Sequence, residues 1–148
     1  MLVPDQDNQR VLIYPKPGHL AAAQLALGQD DLVHGGESRV KARSLAYPTA
    51  IAVDRRAGQL PHVYVADFGN SRVLGWYDLG SLIDGKPADL VLGQRTFGDN
   101  TCNGGGGAGA TTLCWPRSLV VDANGDLWVA DTWNHRVLRF PRPYDQTS

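Results

Sequence analysis

One phrase occurs three times in this chain, and the spacing of its copies constrains the fold more than any other feature. It reads LWVADTWNHRVLRF at Leu127 to Phe140, VYVADFGNSRVLGW at Val63 to Trp76 and, clipped, LVPDQDNQRVLIY at Leu2 to Tyr14. All three copies carry the frame Asp-x-x-Asn-x-Arg-Val-Leu. Its polar members are Asp5, Asn8 and Arg10, then Asp67, Asn70 and Arg72, then Asp131, Asn134 and Arg136. The copies lie 62 and then 64 residues apart. A fixed period of this length marks tandem units, each a supersecondary element that cannot bury both its faces alone. The 148 residues hold roughly two and a third such units.

A complete unit reads as four short strands. Ala50 to Asp54 is the first, opened by Pro48; its counterpart, Ser118 to Asp122, follows Pro116. Val63 to Asp67 and Arg72 to Tyr77 are the second and third. Ala88 to Gly93, ADLVLG, is the fourth, matched by AQLALG at Ala23 to Gly28. Asn124-Gly125 between two apolar runs is a strong hairpin signal. The loops 29–47 and 94–115 are long, and Val40 to Leu45 reads as a short helical turn that dips Leu45 into the core. Four-stranded antiparallel meanders in tandem are the blades of a β-propeller. The expected fold is therefore all-β, an incomplete propeller ring. Its expected parts are a partial blade at 1–46 (end of the second strand, third and fourth strands, long loop), a complete blade plus long loop at 47–114, and a partial blade lacking its outer strand at 115–148. The first strand of each blade, nearest the axis, is expected to be the most buried.

Composition agrees. One Glu and three Lys stand against 17 Gly and 9 Pro, so exposed helix faces have few of their usual residues. The net charge of −1 comes without a basic run, which gives no electrostatic footprint for nucleic acid. No apolar run is long enough to span a membrane as a helix, and no signal peptide precedes the first repeat.

The set Pro-x-x-(Ile/Leu)-x-Val-Asp, Gly-x-Leu-Trp-Val-Ala-Asp and Asn-His-Arg-Val-Leu-Arg-Phe resembles the NHL repeat, and Pro116 to Phe140 is nearly a consensus unit. The longer period and the Leu-Gly-Gln ending of the fourth strand resemble a bacterial subgroup of extended repeats. The resemblance implies a propeller of about six or seven blades. It implies no single activity: NHL-like propellers include protein- and RNA-binding platforms, sensors and a few lyases.

The Asp-x-x-Asn-x-Arg frame reads as turn closure and blade pairing rather than a catalytic ring, because turn chemistry repeats while catalytic sites are built once. In that reading Asp accepts backbone N–H groups, Asn takes the left-handed turn position and Arg forks back to the carboxylate. His135, matched by Ser71 and Gln9, reads as repeat variation. The four histidines, His19, His34, His62 and His135, lack metal-ligand spacing, so no metal and no cofactor is expected. Asp54 and Asp122 end the first strands near the axis. They carry the alternative reading, part of an NHL-like lyase or lactonase-like enzyme with an axial metal. Gly104 to Gly107 lacks the Lys-Ser/Thr of a phosphate loop.

Cys102 and Cys114 bracket the longest loop and read as a disulfide of an oxidising compartment, with free cytosolic thiols as the alternative. An up-down meander puts the turn between strands two and three on the same face as the long loops. That face gathers Phe68, Tyr47, Trp115, Trp133, Asn134 and His135 as the candidate binding residues, with Trp133 at a turn tip. Tyr47 and Trp115 read more readily as wedges between blades, and Trp76 and Trp128 as core. The function expected is a non-catalytic binding or interaction scaffold for protein, peptide or glycan on the long-loop face. Starting mid-strand, the chain reads as a fragment of a longer propeller; alternatively it assembles with itself, three copies giving about seven blades.

Overall fold

The computed structural model describes residues 1–15, 22–34 and 39–146; His19 lies outside them. Its ten strands form three antiparallel sheets, and the described residues hold no α-helix. The first sheet has β1 (Leu2–Asp5), β2 (Arg10–Ile13) and β3 (Leu25–Leu27). The second has β4 (Pro48–Asp54), β5 (His62–Asp67), β6 (Arg72–Trp76) and β7 (Leu90–Leu92). The third has β8 (Pro116–Val121), β9 (Leu127–Asp131) and β10 (Arg136–Phe140). Within each sheet the strands are neighbours in chain order, the meander of a propeller blade, and the three blades do not close a ring.

Period-two alternation decides how the blades stack. In the middle blade Val63, Val65, Leu74 and Trp76 point one way, onto Val11, Leu27 and Leu45. Tyr64, Val73 and Ala52 point the other way, onto Leu113, Leu127 and Val129 of the third blade. Two apolar seams therefore hold three blades, and each fully buried Val or Leu in them stabilises the fold by about 1.5–3 kcal/mol. Leu45 reaches the first seam through a turn closed by the Ser44 N–H on the Lys41 carbonyl, shorter than a turn of helix.

Burial differs from expectation in two places. β5 and β6 are buried at every residue, whereas β4, the innermost strand, is only partly covered. A middle strand has hydrogen-bonded neighbours on both edges and blades on both faces; β4 has an open inner edge. Trp76 is buried, its indole N–H on the Lys86 carbonyl, but Trp128 is 37% exposed on the outer face of the third blade.

The polar end of the chain folds back. A 3-10 turn at Pro143–Gln146 lays Tyr144 against His62, Tyr64 and Tyr77 of the middle blade, its hydroxyl donating to Asp89. Gly75 makes room for it, since a Cβ there would lie 2.7 Å from the Tyr144 hydroxyl.

Candidate functional site

The repeated frame builds the floor beneath the candidate face. In each copy the Asp sits at the end of a blade's second strand and gathers the hairpin around its carboxylate. Asp67 accepts from Asn70 at 2.9 Å, Arg72 Nε at 2.6 Å and the Ala46 N–H at 2.6 Å. Asp131 accepts from Asn134 at 2.8 Å, Arg136 Nε at 2.7 Å and the Cys114 N–H at 2.7 Å. Asp5 accepts from Asn8 and Arg10. The backbone donors Ala46 and Cys114 belong to the long loops, so each of these carboxylates ties a loop to the next blade's hairpin.

The guanidinium reaches further than its carboxylate. Arg72, fully buried, donates to the Phe97 carbonyl at 2.6 Å and to the Lys41 and Ser44 carbonyls at 3.0 and 2.9 Å. Arg136 spans the Gly109 and Thr112 carbonyls, and Arg10 the Leu32 carbonyl. Burial pushes the Asp67 carboxyl up, against the opposing pull of Arg72, the Ala46 N–H and Asn70. The planar fork of arginine suits this work, since one side chain satisfies carbonyls from two loops.

The left-handed residue is the one after Asn. Gln9, Ser71 and His135 have φ of 58°, 52° and 53°. Asn closes the preceding 3-10 turn and uses its amide on the Asp. His135 thus occupies a backbone-defined position that Ser71 and Gln9 fill equally well.

The Leu-Gly-Gln endings brace the same turns. Gly28 and Gly93, at φ +94° and +90°, make parallel bridges to Ser44 and Thr112. A Cβ on Gly93 would meet Leu113 at 2.7 Å. Gln94 donates to the carbonyl of Ser71 at 3.0 Å and of Thr101 at 2.8 Å, tying the left-handed residue to the long loop.

On this floor lies an exposed aromatic cluster. Trp115 stands 4.7 Å from Trp133 and 5.8 Å from Phe68, centroid to centroid, and the Arg117 guanidinium lies 5.1 Å over the Phe68 ring. Trp133 is 59% exposed, Tyr47 44% and Trp115 41%. Tyr47 and Trp115 are therefore surface residues rather than wedges: both have positive φ, which turns their side chains onto the turn face. Tyr47 lies across Gly69; the matching position in the last blade is Trp133, which packs on Trp115 instead. The Trp133 N–H donates to the Cys114 carbonyl, as that of Gly69 does to Ala46.

The loop beside the cluster is stapled. Cys102 and Cys114 are joined in a disulfide with Cα atoms 4.5 Å apart. Asn103 and Asn134 exchange side-chain amide hydrogen bonds at 3.0 and 2.8 Å. Between the staple and the strand-four Gly93 is a depression of about 580 Å³ lined by Gln94, Asn103, Gly104 to Gly107 and Thr112. The candidates Phe68, Trp115, Trp133 and Asn134 thus form one patch, Tyr47 flanks it, and His135 contributes through its backbone. Arg117 and Asn103 had no repeat or motif to mark them.

The inner-strand carboxylates have other partners. Asp54 is held by Arg56 through three contacts of 2.8–3.1 Å and by Gln59. Burial raises its carboxyl, but hydrogen bonds from Arg56 outweigh this and hold it below the usual carboxylate range. Asp122 accepts the Trp128 indole N–H, which with the Asp126 and Asn124 N–H groups holds its carboxyl low. Among the described residues no three His, Cys, Asp or Glu cluster as metal ligands would, and no helix is long and apolar enough to cross a membrane.

The family model described as NHL repeat matches residues 113–140, the span from the Leu113 anchor through β10. No curated protein matches the chain.

Proposed function

With the chain a member of the NHL-repeat family, we propose that it works as a binding scaffold whose ligand seats on the aromatic patch of the turn face, without chemistry of its own. One observation carries this reading: Trp115 and Trp133 are exposed and stand in contact with each other and with the half-buried Phe68, on backbone tied down by Asp67, Asp131 and the Cys102–Cys114 staple. Rigid aromatics offer large contact area at little entropy cost, and exposed aromatic patches mark contact surfaces. Arg117 and the Asn103–Asn134 pair rim the patch with donors. The frame's own Asp and Arg groups are saturated by each other and by loop carbonyls, which leaves the aromatics as the adaptable chemistry. A peptide or a glycan suits such a surface, the rings stacking on apolar faces and the rim supplying hydrogen bonds. The staple supports an oxidising, extracytoplasmic setting.

The test is a screen of immobilised peptides and glycans with the wild type and with the double variant W115A/W133A. Binding to a defined probe set, lost in the double variant while its circular dichroism is unchanged, is expected. Equal binding by both proteins places the ligand elsewhere and refutes the reading.

A further inference from the structure

The outer face of the last blade is an apolar surface with a template inside the same chain. Val120 and Trp128 are cross-strand partners on β8 and β9, and Val137 lies on the same face of β10 opposite Ala130, with Arg139, paired to Asp126, opposite Trp128; the three apolar residues are 58%, 37% and 63% exposed. Counted along the repeat, their counterparts in the middle blade are Ala52, Tyr64 and Val73. Those three are at most 9% exposed, because the next blade covers them with Leu127, Val129 and Leu138. The covering residues in turn have counterparts in the first blade: Met1, Val3 and Leu12. Val3 and Leu12 are cross-strand partners on the blade's outward face; both are half-buried, and Met1 is 55% exposed. One chain thus carries both halves of a blade-to-blade seam, at its two ends, and each half repeats a seam already formed internally.

We propose that a second copy of this chain docks here, the outer face of the last blade on the outer face of the first, and that two copies close a six-bladed ring about a two-fold axis. Three features favour a copy over an unrelated partner. The two faces are complementary by repeat position. Each is unpartnered by any described residue. A head-to-tail contact of this kind forms a ring when its rotation closes. The count also chooses the stoichiometry: three sheets per chain give six blades in a dimer and nine in a trimer, while propellers run from about four to eight. The proposed dimer differs from the expectation of three copies and about seven blades, which counted two and a third units per chain rather than three sheets.

The test is light scattering after size exclusion at roughly 1 to 100 μM, a range that brackets specific association. The expected mass is twice the 16.0 kDa of one chain. The variant V120D/V137D, altered only at exposed positions, is expected to run as a monomer with unchanged circular dichroism. L12D mixed with V137D is expected to give a dimer with one intact junction, since each keeps the half that the other lost. A monomeric wild type at every concentration, an open-ended ladder of masses, or a dimer that survives V120D/V137D overturns the proposal. Should L12D misfold, the wild-type mass and the exposed double variant still decide it.

Discussion

Replacing Arg72 by Ala separates a structural clamp from a decorative turn motif. The wild-type side chain is fully buried and engages Asp67 and three carbonyls, those of Lys41, Ser44 and Phe97. Its removal strands a buried carboxylate, which costs about 3–5 kcal/mol. The three carbonyls lose their charged donor at about 1 kcal/mol or more each. A loss of about 5 kcal/mol or more follows, comparable to the whole stability of many domains, about 5–15 kcal/mol. R136A removes the same group from the last repeat, but Arg136 is 25% exposed and water can replace it, so about 1–3 kcal/mol is expected. R72K keeps the charge without the fork and falls between the wild type and R72A. Urea melts at pH 7 and one fixed protein concentration measure all three. Equal losses for R72A and R136A, or a loss under about 1 kcal/mol for R72A, would refute the clamp.

Other consequences are as specific. Replacing Cys102 and Cys114 by Ser opens a loop between residues twelve apart and is expected to lower stability by about 2–4 kcal/mol, read by the same melts under matched non-reducing conditions. Gly125→Ala is expected to destabilise by about 1–2 kcal/mol, because φ is +83° and the new Cβ would also displace the Arg56 guanidinium; calorimetry reads the lowered midpoint. Asp54 is held below the unfolded aspartate value of about 3.9, so its contribution is present above that pH and is lost as pH falls through the folded value. Asp54→Asn is therefore expected to be less stable than wild type at pH 7, with a gap that narrows as pH falls below about 3.9; a gap that does not narrow contradicts this.

The blades were legible because three copies of one phrase fix strand, turn and strand, and period-two alternation then assigns faces. Eight of the ten strands are matched within two residues at each end by the apolar runs read from the repeat, and the shorter β3 and β7 fall inside AQLALG and ADLVLG. What the repeat could not convey was which faces find partners. Trp128 occupies a core position by alternation, yet no described blade covers it. Tyr47 and Trp115 precede the strand-opening prolines, and only their positive φ turns them outward. The left-handed residue fell one position late because Asn spends its amide on Asp. The reach of Arg72 to Phe97 joins residues far apart in sequence and has no local signature. Tyr144 lies past the last repeat, so nothing in the period foretold its return to the middle blade.

The functional account turns on the aromatic patch, and oxidative footprinting read by mass spectrometry tests it most directly. In the free protein the tryptophans should react in the order of their exposure, Trp133 first and Trp76 last. With the peptide or glycan selected from the arrays at saturation, Trp115, Trp133 and Phe68 should be protected, and Trp128 unchanged. Protection confined to the inner strand ends around Val53, Asp54 and Asp122, with the patch still reactive, would contradict the account.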